Sequence, residues 1–216
     1  MFSKIFLTSF LALIALVSSK IAHADNTPNQ NPNPKTQKQF PICQVTMGSL
    51  ACTRGLVQSI PMGTYGIADL NGTEVSGPVK NIVSGLLTIE NSKFDQAVFL
   101  VADQIAFENS LAKENMTLTG SLVSLSDVTL QKSIMVNTPK VLLNNTALQG
   151  NLLVNLSEGT PQVSLKGSSK ISGNIIFTGN PGAVCIDPKV QLGNIIHGYV
   201  SGTCDVSESS NGEALR

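Results

Sequence analysis

Residues 87–104 read LTIENSKFDQAVFLVADQ; IAFENSLAKENMTLTGSL follows at 105–122, VSLSDVTLQKSIMVNTPK at 123–140 and VLLNNTALQGNLLVNLSE at 141–158. Laid over one another, these four segments of 18 residues put apolar side chains at the same five places: the first residue and those two, seven, eleven and thirteen further on. The first column is Leu87, Ile105, Val123 and Val141, and the last is Leu100, Leu118, Val136 and Val154. No helix has this pattern. Apolar pairs two residues apart are the period of an extended strand, and a constant repeat of strand, turn and strand is one coil of a β-solenoid. The expected fold is all-β, a single-stranded parallel β-helix of about seven coils of 18–22 residues. A β-sandwich is the competing architecture, and it does not require a constant period.

Outward from this block the template weakens. Upstream, Ala68, Leu70, Val75 and Val79 fit, but the last core position falls on the polar Asn81. Downstream, Val163, Leu165, Ile171, Ile175 and Phe177 fit with one residue inserted, as do Val184, Ile186, Leu192 and Ile195 with a similar slip. The extra residues, such as Ser157-Glu158-Gly159-Thr160-Pro161, are expected to bulge as loops. Two polar corners recur. Four residues into successive coils stand Gly72, Asn91, Asn109, Asp127, Asn145 and Gly167, the residue types that tolerate a left-handed backbone; only Pro188 departs. A second corner carries Asn115, Ser133, Asn151, Asn174 and Asn194, expected to bond amide to amide in a ladder. No coil can stand alone, because each buries its inward side chains only against its neighbours.

The domain map is expected to run as follows: a signal peptide at 1–24, a polar and proline-rich leader at 25–39, a cap segment at 40–66, the β-helix at 67–204 and a flexible tail at 205–216. Lys4, the apolar stretch from Ile5 to Val17 and the small-x-small site Ala22-His23-Ala24 have the order of a cleavable export signal, and the stretch is too short for a membrane span. The mature chain is therefore expected outside the cytoplasm, in the periplasm or cell envelope or secreted. Four cysteines, Cys43, Cys52, Cys185 and Cys204, make disulfides the default in that setting. Local pairing, Cys43 with Cys52 and Cys185 with Cys204, would staple the two ends of the array, although bonds between subunits would leave the same count. Zinc is disfavoured by the spacing and by the single histidine of the mature chain.

Chemistry is sparse. Without Lys4 and Lys20 the chain has 12 basic and 14 acidic residues, a net charge of −2, and no basic stripe with interleaved aromatics, so nucleic acid is not an expected partner. His197 falls at the thirteenth position of the final coil and is expected at the open end of the core, with no nucleophile and acid to complete a triad. Glu90 and Glu108 should stack as neighbours about 5 Å apart, which superficially suits a two-carboxylate glycosidase but also follows from any repeat. Tyr65 and Tyr199 are the only tyrosines and tryptophan is absent, so stacking platforms for sugar are few.

The most informative outward positions lie between the last two core positions of each coil: Lys80, Phe99, Thr117, Met135, Leu153, Ile176 and Ile196. Alternation turns them away from the core, yet Phe99, Met135, Leu153, Ile176 and Ile196 are large and apolar. Such a row is covered either by the chain itself, for which the segment with Phe40, Ile42, Leu50, Leu56, Val57, Ile60, Met62 and Tyr65 is the candidate, or by another protein.

The coil VLLNNTALQGNLLV at 141–154, with its Gly-Asn before an apolar pair, and its echoes in Gly173-Asn174-Ile175 and Gly193-Asn194-Ile195, resembles the repeat of bactofilins. The resemblance covers roughly Ala68 to Val200 and implies a right-handed β-helix of short triangular coils that, in that family, polymerises end to end into non-enzymatic scaffolds. Bactofilins are cytosolic, whereas this chain carries an export signal, paired cysteines and a segment before the first coil.

Taken together, the residues point to a non-catalytic exported structural or interaction protein without a cofactor, binding an envelope protein or itself through the apolar row. A carbohydrate-binding or carbohydrate-cleaving β-helix, and an adhesin or accessory subunit of a secretion apparatus, are the alternatives.

Overall fold

The computed structural model describes residues 42–204, which belong to one compact unit, Lys38–Arg216. The expected signal peptide, leader and C-terminal tail lie outside the described residues. Within them every regular element is a strand. Strands pair in parallel with their counterparts one coil away, in three stacks, so each coil contributes one strand segment to each of three sheets.

The deciding column is continuous. Leu50, Ala68, Leu87, Ile105, Val123, Val141, Val163, Val184 and Val200 stand opposite one another in the first sheet. The second sheet stacks Val75, Phe94, Ala112, Leu130, Leu148, Ile171 and Leu192. The third stacks Val98, Met116, Ile134, Leu152, Ile175 and Ile195. From Leu50 to Val184 these positions converge on a single apolar core with almost no solvent contact. The fold is a parallel β-solenoid of roughly eight turns, which at about 4.8 Å per turn spans on the order of 35 Å.

The turn beyond the seven read from the template lies at the N-terminal end. Leu50, Cys52 and Val57 stand 18 residues before Ala68, Leu70 and Val75 and pair with them in register, so 42–66 holds a full coil as well as a cap strand. The last two core positions of that coil fall on Pro61 and Gly63, which hid it. A Cβ on Gly63 would lie 2.7 Å from the Tyr65 hydroxyl oxygen, so the ring of Tyr65, itself buried, occupies the space a side chain at 63 would fill. The cap proper is the hairpin strand Ile42–Thr46, antiparallel on Ser49–Thr53. Asn81 also differs from expectation. It falls at a bulge, with Lys80 opposite Phe99 but Ile82 opposite Leu100, so Asn81 itself has no partner in the register.

The first corner turns as expected. Gly72, Asn91, Asn109, Asp127, Asn145 and Gly167 all have φ between 48° and 64°, and Arg54 joins them at 40° in the added coil. Immediately after this corner lies a column the sequence reading did not single out: Thr73, Ser92, Ser110, Thr146 and Ser169, all buried. At three of these corners the amide that follows is met by a hydroxyl from the next coil, whereas after Asp127 the column is filled by the apolar Val128. Thr73 N donates to Ser92 Oγ at 3.1 Å, Ser92 N to Ser110 Oγ at 3.0 Å and Thr146 N to Ser169 Oγ at 3.2 Å. The hydroxyls of Ser92 and Ser110 donate in turn to the carbonyls of Glu90 and Glu108.

The second corner bonds differently from expectation. Its side chains accept from the backbone of the next coil: Asn151 N donates to Ser133 Oγ, Asn174 N to Asn151 Oδ1 and Asn194 N to Asn174 Oδ1. Glycine precedes these asparagines because a Cβ on Gly173 would lie 2.4 Å from Asn151 Oδ1. Amide-to-amide bonds occur elsewhere, from Asn109 to Asn91 at the first corner and from Asn155 to Asn137 after the third sheet.

Both disulfides are local and within the chain. Cys52 is an inward residue of the first coil with Cys43 directly opposite, so that bond lies across the N-terminal end of the core. Cys204 follows the final strand, Gly198–Gly202, and returns to Cys185 one turn below, closing the last coil into a covalent ring.

Urea denaturation and amide exchange check these corners and staples. Asn109→Gly should leave stability nearly unchanged while Asn109→Val loses about 1–2 kcal/mol through its left-handed backbone, and Ser110→Ala should lose about 1–3 kcal/mol by orphaning the Ser92 amide. Joint replacement of Cys185 and Cys204 by serine should lower stability by roughly 3 kcal/mol and raise amide exchange first in residues 191–202.

Candidate interaction surface

The outward apolar row is a physical column. Lys80 pairs with Phe99, Phe99 with Thr117, Thr117 with Met135, Met135 with Leu153, Leu153 with Ile176 and Ile176 with Ile196. Phe99, Met135 and Ile196 are 39%, 40% and 44% exposed, and Leu153 and Ile176 are half-buried between their neighbours. No described residue covers the row. The segment from 42 to 66, the candidate for intramolecular cover, instead continues the stack beyond the first repeat.

Comparison of the three sheets separates this face from the others. From Val98 onward the third-sheet strands are VFLV, MTLT, IMVN, LLV, IIF and II, without a single charged residue. The first sheet carries Glu90, Glu108, Lys140 and Lys166, and the second carries Lys93 and Lys170. Lys93 also belongs to a surface ion network with Glu74, Asp95 and Lys113. The hydrogen bond to Glu74 holds the Lys93 ammonium above its ordinary range, and the hydrogen bond from Lys113 holds the Asp95 carboxyl below the usual carboxylate range. These groups are partly exposed at the surface, where such pairs contribute little to stability.

The columns flanking the row are polar and in part bonded within the chain. On one side Ser133, Asn151 and Asn174 accept from the backbone of the coil above. On the other, Asn137 Nδ2 donates to Thr119 Oγ1, Asn155 Nδ2 to Asn137 Oδ1 and Thr178 Oγ1 to Asn155 Oδ1. This second ladder had a signal in the recurring Val-Asn of Val136-Asn137 and Val154-Asn155.

The candidate catalytic residues are not assembled into a site. Glu90 and Glu108 do stack, on the outer face of the first sheet, and Glu90 Oε2 accepts from Asn71 Nδ2 at 3.1 Å. His197 does not take the core position expected of it. It is exposed with φ 57°, because the chain turns there into the final strand, and Gly198 follows directly over the Phe177 ring, where a Cβ would lie 2.5 Å from a ring carbon. Its Nδ1 lies 3.3 Å from the Phe177 carbonyl oxygen. Among the described residues, no group of three or more His, Cys, Asp or Glu side chains is placed to hold a metal ion, and no helix is long and apolar enough to cross a membrane.

The solenoid fold that the bactofilin-like repeat implied is therefore present. No protein-family model matches the chain, and neither does any curated protein or solved structure.

Proposed function

We propose that this chain is an exported, non-catalytic structural subunit of the periplasm or cell envelope, a rigid rod that docks another protein surface along its third sheet. One observation carries the reading: the apolar row from Phe99 to Ile196 lies on the one sheet of the three that has no charge from Val98 onward, and no described residue covers it. Exposed apolar strips of this kind mark contact surfaces. Export is supported by the order of residues 1–24 and by the two disulfides, which persist in oxidising compartments. A scaffold role is also what the bactofilin resemblance implies, and the hairpin and staples at the ends favour contact along the side of the rod over growth from its tips.

Leu153→Glu combined with Ile176→Glu tests this. Both side chains point outward, so the variant should fold, with a melting temperature within a few degrees of the wild type, as judged by circular dichroism. It should lose the assembly or the envelope proteins that the mature wild-type chain retains in affinity capture. An unchanged assembly state together with an unchanged captured set overturns the proposal.

A further inference from the structure

Proline cannot take the left-handed backbone, so the last corner, at Pro188, is built by another device. In earlier coils the amide of the corner residue donates to the backbone carbonyl one coil on: Asn91 to Glu108, Asn109 to Ser126, Asp127 to Asn144 and Asn145 to Lys166. Gly167 donates instead to a side chain, Asp187 Oδ2, at 2.9 Å. The Asp187 carbonyl accepts from Val190 N at 3.1 Å and closes a turn over Pro188 and Lys189, with aspartate and proline at the first two turn positions, where both are favoured. We infer that the bond between Asp187 and Pro188 is a self-cleavage site, cut by the carboxylate of Asp187.

Three features of this turn bear on the chemistry. The carboxylate is anchored by Oδ2 on the Gly167 amide, whereas Oδ1 is shut off from solvent and meets no hydrogen-bond donor among the described residues. An anionic oxygen deprived of water and of donors is poorly stabilised and correspondingly reactive. The carbonyl it would attack already has a donor in place, Val190 N, at the oxygen on which negative charge develops. The leaving nitrogen belongs to proline, whose basicity lets it take up a proton and depart more readily than the nitrogen of any other residue.

In the reaction Oδ1 adds to the Asp187 carbonyl carbon, closing a five-membered ring, and the carbonyl oxygen takes the negative charge beside the Val190 N–H. Collapse of this intermediate breaks the bond from that carbon to the Pro188 nitrogen, which takes a proton from solvent and leaves as the amine of a new N-terminus. Water then opens the cyclic anhydride and leaves Asp187 as a C-terminus. The net change is hydrolysis of one bond, with no redox step. It happens once per chain and needs no substrate, so it stands beside a rod that is otherwise non-catalytic. The cut falls between Cys185 and Cys204, so the disulfide keeps 188–216 attached, and the strands of the last coil stay paired to the turn below. Only reduction frees that piece, and its loss bares Val184 and the ring of Phe177 on which Gly198 lies.

Intact-mass measurement of the mature, oxidised chain, incubated between about pH 4 and about pH 7, from the carboxylate range upward, reads the reaction directly. The folded chain should gain the mass of one water, and on reduction it should separate into a piece ending at Asp187 and a piece beginning at Pro188. Bonds from aspartate to proline also break slowly in unfolded chains in acid, so the reference is the same chain in guanidinium at the same pH. The folded chain should cleave about 100-fold faster, the contribution of one oxyanion donor already in place. Asp187→Asn keeps an oxygen for the Gly167 amide, so it should melt with the wild type yet stay whole, and Pro188→Ala should stay whole too. A folded chain that remains whole throughout, that cleaves no faster than the unfolded one, or that is cut equally as Asp187→Asn overturns the inference.

Discussion

Every coil must turn its corner above the corner below it, and the rest of the molecule follows from that requirement. Backbone pairing between successive coils continues only while equivalent residues stay in register. In seven turns a residue at positive φ arrives at the same place, and only the last, with Pro188 there, keeps its pairing without one. Those seven residues are Arg54, Gly72, Asn91, Asn109, Asp127, Asn145 and Gly167. With the corner set, side-chain alternation sends one set of residues into the core and the next into solvent, and the outward set becomes a row because the inward set is one.

Much of this was legible because the constraint is written at a constant interval. The four uninterrupted repeats and their left-handed corners identify the solenoid, and alternation alone puts Phe99, Met135, Leu153, Ile176 and Ile196 on the outside. What escaped was local substitution of one solution for another. Tyr65 fills the space over Gly63 from two residues away, so the first coil lacks the apolar residue that would announce it. Asn81 leaves the register by a bulge, which a fixed template reads as a polar residue in the core. The ladder at the second corner runs from side chain to backbone, a distinction that residue type does not encode. His197 was misplaced because the tight approach of Gly198 to Phe177 depends on the neighbouring coil. The candidate surface was visible as a row, but that nothing from residue 42 to 66 folds over it is a tertiary fact.

The two ends are built differently. At the N-terminus a chain reversal lays an antiparallel strand and a disulfide across the core. At the C-terminus the last strand stays parallel and is tied down only by Cys204 to Cys185, and Tyr199 and Val200 remain more than half exposed. A molecule closed in these two ways presents its long sides as its most regular surfaces, and of those only one is free of charge from Val98 onward.

The two corner ladders also point in opposite directions along the axis. At the first corner a hydroxyl reaches back to the amide of the coil before it, as Ser92 does for Thr73. At the second a side-chain oxygen reaches forward to the amide of the coil after it, as Asn151 does for Asn174. Unwinding from the C-terminus strips acceptors from buried amides left behind, while unwinding from the N-terminus strips them from amides ahead. The first ladder runs between Thr73 and Ser169 and the second between Ser133 and Asn194, so within those stretches a turn that is lost takes acceptors from the amides of its neighbour.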